Sequence, residues 1–146
     1  MAYALWERST LETFFKDNWA ETPIKWENHA FTIPATIANG AYSAYVAFFL
    51  RSGTGVVVSL GSSLLERQAS LIVVQVFTPE LTDKLVSLTY TDLLLDLWIP
   101  RDFTDGSNVI RTRPPYPNVV GVNSGWFQTN VIVPYVLDAP IANYQT

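Results

Sequence analysis

The chain has 146 residues, a net charge of -4, 49% hydrophobic and only 15% charged residues, and no cysteine. This length makes one domain with enough apolar content for a real core. Disulfides and thiolate metal sites are excluded, and nine basic residues scattered from Arg8 to Arg113 form no nucleic-acid-binding footprint.

Aromatics reach 14% while charges stay low, a balance that points to a surface meeting other protein rather than water. The opening "MAYALWERSTLETFF" has neither a cationic start nor an apolar stretch before a small-residue cleavage site, so no signal peptide is expected. The longest nearly apolar run, "AYSAYVAFFL", is about half the length that spans a bilayer. These features place the protein in a cytoplasm.

Leu11, Phe14, Phe15 and Trp19 recur at helical spacing and predict a first helix over 3–18, ended by Asp17-Asn18 and Pro23. "IKWENHAFTI" is a short strand candidate, and Asn39-Gly40 is a turn signal. "AYVAFFL" and "GVVVSLG", joined by "RSGTG", suggest an apolar hairpin over 44–61. In "LIVVQVF", Ile72, Val74 and Val76 form one apolar face, and Gln75 sits on the other. Thr78 and Pro79 are placed to start a second helix, which carries Val86, Tyr90, Leu93, Leu94 and Leu97 and stops near Pro100. "RDFTDGSNVIRTRPPYPN" reads as a long loop, "VVGV" as a strand, and the chain from about 138 as a flexible tail.

"GWFQTNVIVPY" separates into two faces. Phe127, Thr129, Val131, Val133, Tyr135 and Leu137 are nearly all apolar, whereas Trp126, Gln128, Asn130, Ile132 and Pro134 mix amides with apolar groups. The first face is expected beneath the helices, with Phe127, Val131 and Val133 against Phe14, Phe15, Leu93 or Leu94. The second, with Gln75 beside it, is expected to be less buried. Its amides either bond one another across adjacent strands or face another subunit. The element order, helix, strands, helix, strands, gives an α+β domain spanning 1–146. Its sheet is expected to be largely antiparallel, with two main helices packed on one face.

Catalytic patterns are sparse. His29, the sole histidine, shares a strand-like face with Glu27, half of an acid–base site with no third group. Asp92 and Asp96 share a helix face, where solvation is the simpler reading than a metal or acid–base pair. The glycines at 53, 55 and 61 fit no phosphate-loop pattern. Arg111 and Arg113 suit a rim contact to a neighbouring chain better than a phosphate clamp. No catalytic residue, cofactor or metal ligand is assigned.

Three segments in order carry a resemblance: "TPIKWENHAF" (22–31), "LIVVQVFTP" (71–79) and "GWFQTNVIVPY" (125–135). Together they resemble the signature segments of phage tail terminator-like proteins, small α+β proteins of tailed bacteriophages similar to the lambda-type tail terminators. The chain departs from the pattern at Glu80-Leu81-Thr82, where the family often has Gly-Thr-Gly.

The resemblance implies a non-enzymatic structural virion protein. It would form a ring, typically a hexamer, that caps the head-proximal end of the tail tube and docks the head or neck. Its partners would be copies of itself, the tail-tube protein and a head-completion or neck protein, with DNA only passing through the lumen. It would be assembled in the host cytoplasm. Candidate subunit-interface residues are Arg51, Glu66, Arg67, Arg111, Arg113, Trp126, Gln128 and Asn130. A head-closure or neck connector, a binding module with an aromatic pocket, and an enzyme using His29 and Glu27 are the competing readings.

Overall fold

A computed structural model describes residues 3–34, 37–38, 41–58, 64–80 and 84–141. The chain is an α+β fold with two helices and a strongly curled, mixed eight-stranded sheet. Its axis is one pairing: β6 (Leu65–Pro79) and β10 (Trp126–Pro140) run antiparallel in register over fifteen residues each. Shorter strands share the two outer edges of this pair. Along β6 lie β4 (Tyr45–Arg51) and then β5 (Gly55–Val57), while along β10 lie β9 (Tyr116–Asn123) and β8 (Val109–Thr112). β1 (Ile24–Trp26) adds to β4 in the one parallel pairing among the described residues, and β7 (Asp102–Thr104) pairs β8. Such long strands must twist, and a bulge opposite Gln128 and Thr129 bends β9 further.

The alternation seen in the sequence sets the two sides of the sheet. Ile72, Val74 and Val76 of β6 and Val131, Val133, Tyr135 and Leu137 of β10 enter the core with Val46 and Phe48 of β4. Helix α1 (Ala4–Asn18) sends in Leu11 and Phe15, and Phe15 stacks on Phe48 with ring centres 5.2 Å apart. Trp98, fully buried after helix α2 (Lys84–Leu97), stacks on Phe15 at 6.2 Å. One polar pair crosses this core, where the Tyr135 hydroxyl donates to Glu7 Oε2 at 2.6 Å. Burial, and then the Glu7 carboxylate, push the Tyr135 phenol well above its ordinary pKa.

Several expectations need correction. β4 and β5 do not form a hairpin with each other: both pair β6, so the chain steps along one edge, and 59–61 lie outside the described residues. The Asn39-Gly40 turn also lies outside them, although β2 (Ile37–Ala38) and β3 (Ala41–Tyr42) pair on either side of it. Thr78 does not start a helix. It is buried within β6, opposite Phe127. The long loop contains the β7–β8 hairpin, closed where Asp105 Oδ1 accepts the amides of Ser107 and Asn108 at 2.9 and 2.7 Å. No tail begins at 138, because β10 runs to Pro140 with Asp138 and Ala139 buried.

Helix α2 differs most from expectation. It turns Ser87, Thr91 and Leu94 inward and leaves Leu85, Leu88 and Leu93 exposed. The hydroxyls do not go unsatisfied: Ser87 Oγ lies 3.3 Å from Thr129 Oγ1, and Thr91 Oγ1 donates to the Ser87 carbonyl at 2.8 Å. Small side chains let the helix approach the sheet closely, and Leu94 then fills the core. Phe127 is accordingly only half-buried.

Two outcomes test this packing. Leu94→Ala should lower stability by about 2–5 kcal/mol through its cavity, whereas Leu88→Ala should stay within about 0.5 kcal/mol, read from urea midpoints at constant slope. Tyr135→Phe leaves the buried Glu7 carboxylate without this donor. It should cost about 1–3 kcal/mol in the same measurement.

Candidate functional site

The side of the sheet away from the core is built in rows set by strand register. Tyr45, Phe77 and Gln128 form one row, and Ala47, Gln75, Asn130 and Asn118 the next. Gln75, Gln128 and Asn130 are half-buried, as expected of the less buried face. Gln75 stands opposite Asn130, and Gln128 Nε2 donates to Asn130 Oδ1 at 2.9 Å along the same strand. The aromatics here pack on one another: Tyr45 stacks on Phe77 at 4.6 Å and takes the edge of Trp126 at 5.1 Å.

Further along the same side, Arg51 of β4, Leu71 of β6 and Pro134 of β10 share a row. Arg113 extends it, because its amide donates to the Pro134 carbonyl at 2.8 Å. Between the two arginines lies an open groove of about 460 Å³, floored by Ala69, Leu71, Pro134 and Val136. Gly53 closes the β4 side at very short range, since a Cβ there would collide with the Ala69 carbonyl oxygen. Neither Arg51 nor Arg113 makes an ion pair among the described residues, and the Arg51 guanidinium sits 6.0 Å from the Phe49 ring centre.

The far end is ionic. Asp138, nearly buried, receives Arg67 Nε and Nη2 at 2.8 and 3.0 Å and Arg111 Nη1 at 3.0 Å. Arg111 also lies 3.8 Å from Asp102. The Arg67 hydrogen bonds hold the Asp138 carboxyl below the usual carboxylate range despite partial burial, and the Arg111 charge adds to them.

The structure therefore brings Arg51, Arg67, Arg111, Arg113, Trp126, Gln128 and Asn130 to one side of the sheet. Glu66 is apart from them, with its Oε1 accepting from the Tyr3 hydroxyl at 3.3 Å.

His29 occupies a different groove with Arg8, Glu12 and Glu27. Glu27 Oε1 is engaged structurally: it accepts the Leu50 amide at 2.8 Å and Arg8 Nη1 at 3.2 Å, tying β4 to α1. Among the described residues, no group of three or more His, Cys, Asp or Glu is arranged to hold a metal ion. No described helix is long and apolar enough to cross a membrane.

Asp138 escaped the sequence reading because its partners lie 71 and 27 residues away. The inward face of α2 did have a signal, since Ser87, Thr91, Leu94 and Trp98 recur at steps of four, three and four. No protein-family model and no curated protein matches the chain.

A carboxyl whose pKa is depressed on folding contributes stability that is full at neutral pH. That stability is lost as the pH falls below about 4 and through the folded value. Asp138→Asn should therefore lower the unfolding free energy at pH 7 by about 1.5–3 kcal/mol, and flatten the loss of stability on acidification. Equilibrium unfolding of both forms between neutral pH and about pH 2 checks this.

Proposed function

We propose that this protein is a structural virion component, a ring-forming tail terminator that caps the head-proximal end of a phage tail tube and docks the head or neck. The observation that carries the reading is the outward face of α2. Leu85 is 65% exposed and Leu88 52%, with Ile99 beyond the helix at 55%, in a chain with only 15% charged residues. A helix that buries hydroxyls and exposes leucines presents a surface that another protein covers. The resemblance of the three segments 22–31, 71–79 and 125–135 supplies the kind of assembly.

In this reading the sheet is essentially antiparallel, with both main helices on one face. The opposite, amide-bearing face and the outer side of α2 are left for neighbouring subunits, the tail-tube protein and the neck. No residue acts as a catalyst in it, and the bonds of Glu27 to the Leu50 amide and Arg8 support a structural role for the carboxylate beside His29. The net charge of -4 suits a lumen through which DNA passes without being held.

The test is to delete the gene in its phage and image the particles. Tails should form with uncontrolled length and fail to join heads, and labelled protein in wild-type particles should sit at the head-proximal end of the tail. Normal tails that lack only the head junction would favour a head-closure protein instead. Normal, joined particles without the chain would end the virion reading.

A further inference from the structure

Two unpaired charge sets lie on opposite sides of the molecule. On the sheet, Arg51 and Arg113 flank an aliphatic groove and form no ion pair among the described residues. On α2, Asp92 and Asp96 are exposed and likewise form none. At 3.6 residues per turn, Leu85, Leu88, Asp92, Asp96 and the position of Ile99 fall within an arc of about 80°. The outward stripe of α2 is thus apolar in its first half and acidic in its second, with Ile99 just beyond its end.

The groove matches that stripe in chemistry. Its floor is aliphatic, with half-buried Leu71, Pro134 and Val136 and the exposed Ala69. Its two walls are cationic. The row from Arg51 through Leu71 and Pro134 to Arg113 spans three strand spacings, about 14 Å before curling, and sets one guanidinium on each side of the floor.

We infer that the groove between Arg51 and Arg113 receives the Leu88–Asp92–Asp96 stripe of helix α2 from a second copy of this chain. This rests on the ring reading above and names the contact that builds the ring. Leu85 and Leu88 supply apolar contact to the aliphatic floor, and Asp92 and Asp96 on the same stripe bring two carboxylates to a groove flanked by two guanidiniums.

The two halves of the contact face away from each other. α2 meets the core-facing residue Thr129 through Ser87, whereas the groove is made by the alternate residues Pro134 and Val136 on the other side of β10. One pair of molecules therefore cannot satisfy both halves at once. Copies add head to tail, and such a series closes as a ring when its rotation allows.

Cysteine cross-linking is the direct test, because the full chain has no cysteine of its own. Leu88→Cys with Val136→Cys in one chain should give, on oxidation, a ladder of covalent multiples ending at a closed ring. The two single variants mixed should give dimers and nothing larger. Adding Arg51→Glu and Arg113→Glu should cut the cross-linking yield roughly tenfold or more, and further adding Asp92→Arg and Asp96→Arg should restore it.

Cross-linking no more frequent than in a control with Thr13→Cys in place of Leu88→Cys overturns the contact. So does a yield indifferent to the charge reversals. Sedimentation of the chain without cysteines separates the two failures. An oligomer that persists through both reversals overturns the groove contact alone. A chain that stays monomeric at every concentration and forms no ladder overturns the contact and the ring together.

Discussion

Everything in this molecule hangs on the pairing of β6 with β10. Fifteen residues of each strand are matched antiparallel from Leu65–Pro140 to Pro79–Trp126. Side chains alternate with a period of two, so this register alone decides which groups are buried. A slip of one residue would send Val131 and Val133 outward and Gln128 and Asn130 into the core, where their amides would lose partners. The remaining strands take the two edges of the pair in turn, and both helices contribute buried side chains to the core it organises.

That alternation leaves the outer side of the sheet graded along its length. Aromatics come first, then amides, then an aliphatic groove between two arginines, then the Asp138 ion cluster. The Asp138 ion cluster is satisfied by Arg67 and Arg111, and Gln128 bonds Asn130, whereas the remaining amide groups of this face can bond water. Arg51 and Arg113 have no ion pair among the described residues and stand over apolar surface. A surface of this kind is compatible with an unassembled chain, and in the proposed contact it would seat the carboxylates and leucines of a second copy.

Helix α2 supplies the complementary lesson. Ser87 and Thr91 are buried because each hydroxyl finds an oxygen nearby, and their small size brings the helix close to β10. Leucines left outside would be an aggregation hazard in a lone domain, and the proposed ring would cover them with a neighbouring copy.

The sequence alone determined what depends on local backbone geometry. The α1 boundaries, the separation of Ile72, Val74 and Val76 from Gln75, and that of Val131 and Val133 from Gln128 and Asn130 all follow from periods of 3.6 and two. Local chemistry did not decide which face of α2 turns inward. Leu93 and Leu94 are equally apolar, and Leu94 enters the core together with Ser87, which meets Thr129, and the fully buried Trp98, whose spacing outweighs the leucines around it.

Nor could it place Asp138 between Arg67 and Arg111, or set Arg113 across the sheet from Arg51. Those groups meet through strand pairings that join residues tens of positions apart. The same holds for β4 and β5. Adjacent apolar stretches around a glycine turn look like a hairpin locally, but β6 offers each of them an edge, and the longer-range pairing wins because it completes the sheet.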